Sequence, residues 1–173
     1  MKGRGFLCTA FLAGMALLTA LDQWTKALAV GHLMNKPPIV LIEGVFQLYY
    51  SENRGAAFGV LQGKQFFFFL ITLAVLAAAA YMIWRMPAVK RFAPLWISLL
   101  LVSSGAVGNM IDRVSQGYVV DFLYFNLINF PIFNVADCYV TVGAFLLVAL
   151  LFFYYQEEEM SCFSINKRKE DQG

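Results

Sequence analysis

The chain has 173 residues, 60% of them hydrophobic and 16% aromatic, but only 14% charged. Soluble domains are nearer ~45–50% apolar and ~25% charged, so a soluble enzyme is excluded. A net charge of +2 without a basic stripe interleaved with aromatics also excludes a nucleic-acid partner.

The first apolar run, Phe6 to Leu21, predicts a spanning helix over about 6–26, near the ~20 residues that cross ~30 Å of hydrocarbon. Lys2 and Arg4 before it and Ala27-Leu-Ala29 after it imitate a cleaved signal peptide. The charged interval Asp22-Gln-Trp-Thr-Lys26 is too long for that, so the segment reads as a retained anchor. Asp22 and Lys26 are four apart and share a helix face; on their own they read as an ion pair on the helix surface. His32 is the only histidine and reads as interfacial.

Next comes a loop with more character than its position suggests. Ile39 to Ile42 and Val45 to Tyr50 flank Glu43-Gly44, which predicts a β-hairpin. So apolar a hairpin suits the bilayer surface. A polar break, Ser51-Glu-Asn-Arg54, leads into the small-residue run Gly55 to Gly59, where a ligand or another backbone can approach closely.

A second span is predicted over 65–84 and a third over 92–111, with Arg85, Lys90 and Arg91 in the short link between them. The Phe66–Phe69 run reads as packing or lipid-facing. Gly105 and Gly108 allow close helix packing, and Asn109, Asp112 and Arg113 follow at the outer end. Asp112-Arg113 taken alone suits a helix end anchored at the headgroups.

Asp121 then interrupts an apolar stretch, Tyr118-Val-Val-Asp-Phe-Leu-Tyr-Phe125, with no cap or partner nearby in sequence. A carboxylate next to hydrocarbon is costly and usually functional. Asn134-x-x-Asp137 fits a helix N-cap followed by an acid in the first turn, which by itself accounts for Asp137. The fourth span is predicted over 137–155, and the charged tail 156–173 reads as solvated and disordered. Cys8, Cys138 and Cys162 have neither a disulfide framework nor metal spacing, and no internal repeat is visible.

These elements predict a single-domain, all-α membrane protein over 1–173, with four transmembrane helices and a small extracytoplasmic β element. Lys and Arg cluster at both termini and in the 85–91 link, so the positive-inside rule gives an N-in/C-in orientation. Asp22, Lys26, Asn53, Asn109, Asp112, Arg113, Asp121 and Asp137 then gather at the outer face.

Missing motifs narrow the chemistry. One histidine and no His-Glu-x-x-His argue against a zinc protease. No Gly-x-Ser-x-Gly, Gly-x-Gly-Asp or phosphate-binding loop is present. A pair of carboxyls remains, and two such groups side by side share one proton and titrate as a unit. The ionised member can activate water while the neutral one polarises a carbonyl and protonates the leaving amine. A proton-coupled transporter also uses intramembrane carboxyls, but at the midplane and often in repeated halves. A non-enzymatic scaffold would explain the spans but not the polar layer.

Five blocks carry a resemblance across nearly the whole chain. They are Asp22-Gln-Trp-Thr-Lys26, Asn53-Arg-Gly-Ala-Ala-Phe58, Gly105-Ala-Val-Gly-Asn109 running into Asp112-Arg113, Val120-Asp-Phe122, and Phe133-Asn-Val-Ala-Asp137. In this order they resemble the lipoprotein (type II) signal peptidases of bacterial inner membranes. The resemblance implies a four-helix fold with an extracytoplasmic β-cradle and an aspartyl mechanism with Asp121 and Asp137 as the dyad. Asp22, Lys26, Asn53, Gly55, Asn109, Arg113 and Asn134 would form the supporting and substrate-contacting shell. The implied reaction removes the signal peptide from diacylglyceryl-modified prolipoproteins before the lipidated cysteine, with no metal or cofactor, at the periplasmic face of the inner (cytoplasmic) membrane. Globomycin is the inhibitor the resemblance implies. A helix N-terminus favours the charged form of Asp137, which makes it the expected base.

Overall fold

The computed structural model describes residues 2–55 and 64–164, with side chains from Gly3 onward. The last four residues of the expected small-residue run, 56–59, therefore lie outside the described residues, as does the tail beyond Ser164. Among the described residues four helices are long and apolar enough to cross a membrane: Gly3–Leu33, Gln65–Arg85, Lys90–Gln116 and Val135–Phe153. In chain order the elements are α1 (Lys2–Leu33), β1 (Ile39–Ile42), β2 (Phe46–Asn53), α2 (Gln65–Arg85), α3 (Ala93–Gln116), β3 (Val119–Phe125), α4 (Val135–Phe153) and α5 (Glu157–Met160). Short 3-10 turns cover Lys90–Phe92, Asn126–Ile128 and Ser161–Phe163.

The bundle turns its largest apolar side chains outward, as a helix set solvated by lipid must. Phe66, Phe145, Phe152 and Phe153 are all exposed. Inside, one apolar cluster of Phe11, Ala79, Ile83, Met86, Phe92, Leu95, Leu99, Leu150 and Tyr155 fills the end near the α2–α3 link. A smaller one, Ala29, Leu33, Val120 and Phe122, seats the sheet against the far end of α1.

α1 has 32 residues and is about 48 Å long at 1.5 Å per residue. It runs seven residues past Lys26, where the sequence suggested the span would stop. The reason is local: the charges at 22 and 26 are satisfied inside the protein, so they do not mark a boundary with water. They correct a second expectation too, because Asp22 is 0% and Lys26 3% exposed; the pair is buried, not a helix-surface bridge. Asp112, read as a headgroup anchor, is likewise buried.

α3 and α4 are joined closely through small residues. Ser98 Oγ donates to the Gly143 carbonyl at 2.8 Å. A Cβ on Gly105 would sit 2.3 Å from the Ala136 carbonyl oxygen, and one on Gly143 2.8 Å from Val102. α3 ends at Gly117, whose φ of +80° and N–H bond to the Arg113 carbonyl turn the chain straight into β3.

The predicted hairpin is present, with Gly44 at φ +70° in its turn, and β3 joins it to make an antiparallel sheet of order β1-β2-β3. The sequence did not identify β3, whose hydrophobic run lacks alternation because all of Val119–Phe122 is buried. Phe46 pairs with Phe125 and Ser51 with Asp121, with one extra β2 residue between Leu48 and Ser51. That bulge bends β2 locally before it reaches Asn53. After β3 the chain folds back, and Phe133 exchanges backbone hydrogen bonds with Leu123 at 2.8 and 3.0 Å. This return strand delivers Asn134 and the start of α4 beside Asp121.

Within the tail, α5 and the 3-10 turn Ser161–Phe163 are formed where the sequence predicted disorder. Glu159 caps the backbone N–H of Gln156 and pairs with Arg91 at 2.8 Å. Tyr81 Oη donates to the Phe163 carbonyl, Arg85 Nε donates to the Cys162 carbonyl, and Phe163 packs edge-on to Phe92. Basic and aromatic groups of α2 and the link thus give the acidic segment a docking place.

Candidate active site

Asp121 sits mid-strand on β3 and is 2% exposed. Its Oδ1 accepts from Asn134 Nδ2 at 2.6 Å and its Oδ2 from Asn53 Nδ2 at 2.9 Å. Burial pushes its carboxyl up from the ordinary 3.8 to about 7, and the nearby charge of Asp137 adds to the rise. The two asparagine hydrogen bonds and the Lys26 ammonium oppose it.

Asp137 is the third residue of α4. Its backbone N–H donates to Asn134 Oδ1 at 2.9 Å, and its own Oδ2 accepts the Asn134 backbone N–H at 3.1 Å, a complete capping box. Its Oδ1 accepts from Asn109 Nδ2 at 2.7 Å. The capping role anticipated for Asp137 is therefore real, and it does not use up the carboxylate. Asn134 touches both acids at once, one through its amide and one through its backbone.

The other expected shell residues converge on the same place. Lys26 Nζ reaches Asn109 Oδ1 at 3.0 Å. Arg113 Nη2 donates to the Gly55 carbonyl at 3.1 Å, and its guanidinium lies 4.3 Å from the Phe68 ring centroid. Asn53 Oδ1 accepts the Gly55 N–H, fixing the end of β2. Two participants escaped the sequence reading of the site. Asp112, seen in the polar layer but left out of the shell, accepts the Val120 N–H at 3.1 Å. Gln23 bonds both Asp112 and the Gly108 carbonyl. Their signal was available: positions 22, 23 and 26 share one flank of α1, and 108, 109 and 112 share one flank of α3.

A cleft of about 530 Å³ opens beside these groups. Asn53, Gly55, Arg113 and Asp137 provide its polar wall, and Phe130, Ile132, Phe133, Val140 and Val142 an apolar one. Asp121 does not line the cleft itself but is bonded to Asn53, which does. Val142 is well exposed, so the cleft extends to the surface that lipid would cover. His32 is exposed in the last turn of α1. Among the described residues no His, Cys, Asp and Glu group has the arrangement to hold a metal ion.

Two solved structures described as bacterial membrane enzymes share this architecture. One, determined in meso at 2.3 Å, aligns with TM-score 0.71 and 31% identity over 94% of each chain. Another, at 1.9 Å, aligns with TM-score 0.72 and 32% identity over 85% of this chain and 95% of its own. Fold and buried carboxyl site thus define a multi-pass membrane enzyme. Residues 14–153 match the family model for signal peptidase II. A lipoprotein signal peptidase of Streptococcus thermophilus is 46% identical over 77% of this chain and 86% of its own length. One of Streptococcus pyogenes is 42% identical over 80% and 90%. The chain belongs to the signal peptidase II family. It is a peptidase, the aspartic type fits the family, and the transporter reading has no support.

Proposed function

We propose that the protein removes the signal peptide from prolipoproteins with Asp121 and Asp137 as its catalytic pair. The observation that carries the assignment is that one asparagine, Asn134, bonds both carboxyls at the edge of a cleft half polar and half apolar. Asp121, whose carboxyl is pushed up to about 7, holds the shared proton. Asp137, surrounded by donors from Asn109 and Asn134, is the ionised member. Asp137 takes a proton from water as its oxygen attacks the scissile carbonyl carbon, while Asp121 gives its proton to the carbonyl oxygen. On collapse of the tetrahedral diol a hydroxyl returns its proton to Asp121 as the carbonyl re-forms, the C–N bond breaks, and Asp137 gives its proton to the leaving amine, which restores the starting pair.

The substrate in this reading is a diacylglyceryl-modified prolipoprotein cut before its lipidated cysteine. A cleft with a polar wall at the aspartates and an apolar wall reaching the lipid-facing surface suits a peptide bond next to two acyl chains. Globomycin would compete for the same cleft. The orientation in this reading is N-in/C-in in the bacterial cytoplasmic membrane, with the site at the outer (periplasmic) face. Its support is that Arg4, Arg85, Lys90 and Arg91 lie toward one end of the bundle and the carboxyl site toward the other.

The test is turnover of a diacylglyceryl-modified precursor by purified protein, with and without chelator. Asp121→Asn and Asp137→Asn should each lower turnover by at least ~10³-fold while insertion and folding persist, since neither remaining carboxyl can do both proton transfers. Near-normal cleavage by either variant refutes the dyad, and cleavage lost to chelator refutes the metal-free route.

A further inference from the structure

We propose that Lys26, held between Asp22 and Asp112, is the positioning residue of the carboxyl pair: one ammonium fixes both backbone segments that carry the aspartates. This rests on the dyad assignment above and adds to it what sets the spacing of the two acids.

The geometry is nearly symmetric. Asp22 Oδ1 accepts the backbone N–H of Ala136 at 2.9 Å, and Ala136 immediately precedes Asp137. Asp112 Oδ2 accepts the backbone N–H of Val120 at 3.1 Å, and Val120 immediately precedes Asp121. Lys26 Nζ bridges the two grips, 2.9 Å from Asp22 Oδ2 and 3.0 Å from Asp112 Oδ2. Its third contact, at 3.0 Å, is Asn109 Oδ1. An ammonium has three donors, and all three are engaged. Asn109 passes the constraint on directly, through its Nδ2 to Asp137 Oδ1 and its Oδ1 to Asn134 Nδ2, which also holds Asp121. Gln23 closes the ring by bonding Asp22 and Asp112. Gly108 makes room for it, since a Cβ there would stand 2.5 Å from Asp22 Oδ2.

Stability is a poor explanation for this cluster, because apolar side chains of equal volume commonly replace buried ion pairs without loss. What apolar packing cannot supply is a fixed register between a strand and the helix that follows it. The cluster also sets the field at the aspartates. The charged groups acting on Asp121 are Lys26 from α1, Arg113 from α3 and Asp137 from α4, with Asp22 and Asp112 paired to Lys26 behind them. From β2 the facing side chain is the neutral Asn53, and Glu52 and Arg54 pair with each other at the surface.

Four variants test this, measured for kcat, KM, pH profile and folding in detergent. Lys26→Met removes a positive charge and should move the alkaline limb of the kcat profile to higher pH. Asp112→Asn removes a negative charge but keeps an acceptor for Val120, so the limb should move to lower pH with kcat at its optimum falling less than tenfold. Asp112→Ala removes the grip and should lower kcat about 100-fold, the scale of an ångström's misplacement, with KM within threefold. An unmoved limb in both charge variants, or a full kcat in Asp112→Ala, overturns the proposal. If Lys26→Met does not fold, the Asp112 pair decides alone. Asp121→Asn in the same series separates the two claims: its activity would sink the dyad, whereas its inactivity beside a fully active Asp112→Ala would sink only the positioning role.

Discussion

Asp121 is asked to be both buried and acidic, and those demands conflict in a way that stability should register. Its folded carboxyl holds a proton up to about pH 7, whereas the unfolded chain releases it near 3.8. Below the lower value both states are protonated and the residue is neutral in its effect. Between the two, only the folded state keeps the proton, so the cost of folding grows as pH rises and is complete above about 7. Asp121→Asn removes that dependence. Its melting temperature relative to wild type should become more favourable from pH 5 to pH 8; a difference that stays flat or falls over that range would show that Asp121 ionises freely in the folded protein. Asp137 accepts hydrogen bonds on both oxygens, from Asn109 and from the Asn134 backbone, at the first turn of α4. In the proposed mechanism the two acids divide the roles through environment, not through identity.

At the scale of elements, the site depends on how closely α3 and α4 approach. Asp137 belongs to the first turn of α4, and Gly105 on α3 faces the Ala136 carbonyl in that same turn. Gly105→Ala would improve helix propensity by about 1 kcal/mol, yet its methyl has no room at 2.3 Å, and overpacking costs about 1–3 kcal/mol. The expected outcome is a lower melting temperature together with a kcat drop of tenfold or more, because the helix end carrying Asp137 is displaced. Equal or greater stability with normal kcat would show that the two helices can separate without moving the carboxyl. The sheet is positioned by similar means: the Phe133–Leu123 return and the bulge in β2 bring Asn134 and Asn53 to opposite oxygens of Asp121.

For the whole molecule, the two ends of the bundle have separate tasks. The carboxyl end is polar inside and tied by hydrogen bonds, and the other end is an apolar cluster closed by α5 and the turn after it. The Arg91–Glu159 pair lies at the surface, where such bridges contribute about 0–1 kcal/mol. Ending the chain after Tyr155 should therefore lower the melting temperature by only about 2–4 °C and leave cleavage of a lipidated precursor within twofold. A larger activity loss would mean that the tail communicates with the site.

The sequence by itself determined the four spans, the hairpin and a layer of polar residues at one end of the bundle, because lipid demands long apolar helices and penalises every charge left inside them. Spacing along α1 was enough to suggest that Asp22 met Lys26. What only the tertiary structure decided was where those charges went. Asp22 and Lys26 look like surface residues until α3 and α4 enclose them, and Asp112 looks like a helix-end anchor until β3 lies against it. β3 itself was hidden because burial on both faces erases the alternation by which strands are read. Hydropathy reports whether a residue meets lipid or water, and it carries no information about which polar groups meet one another across a hundred residues of chain.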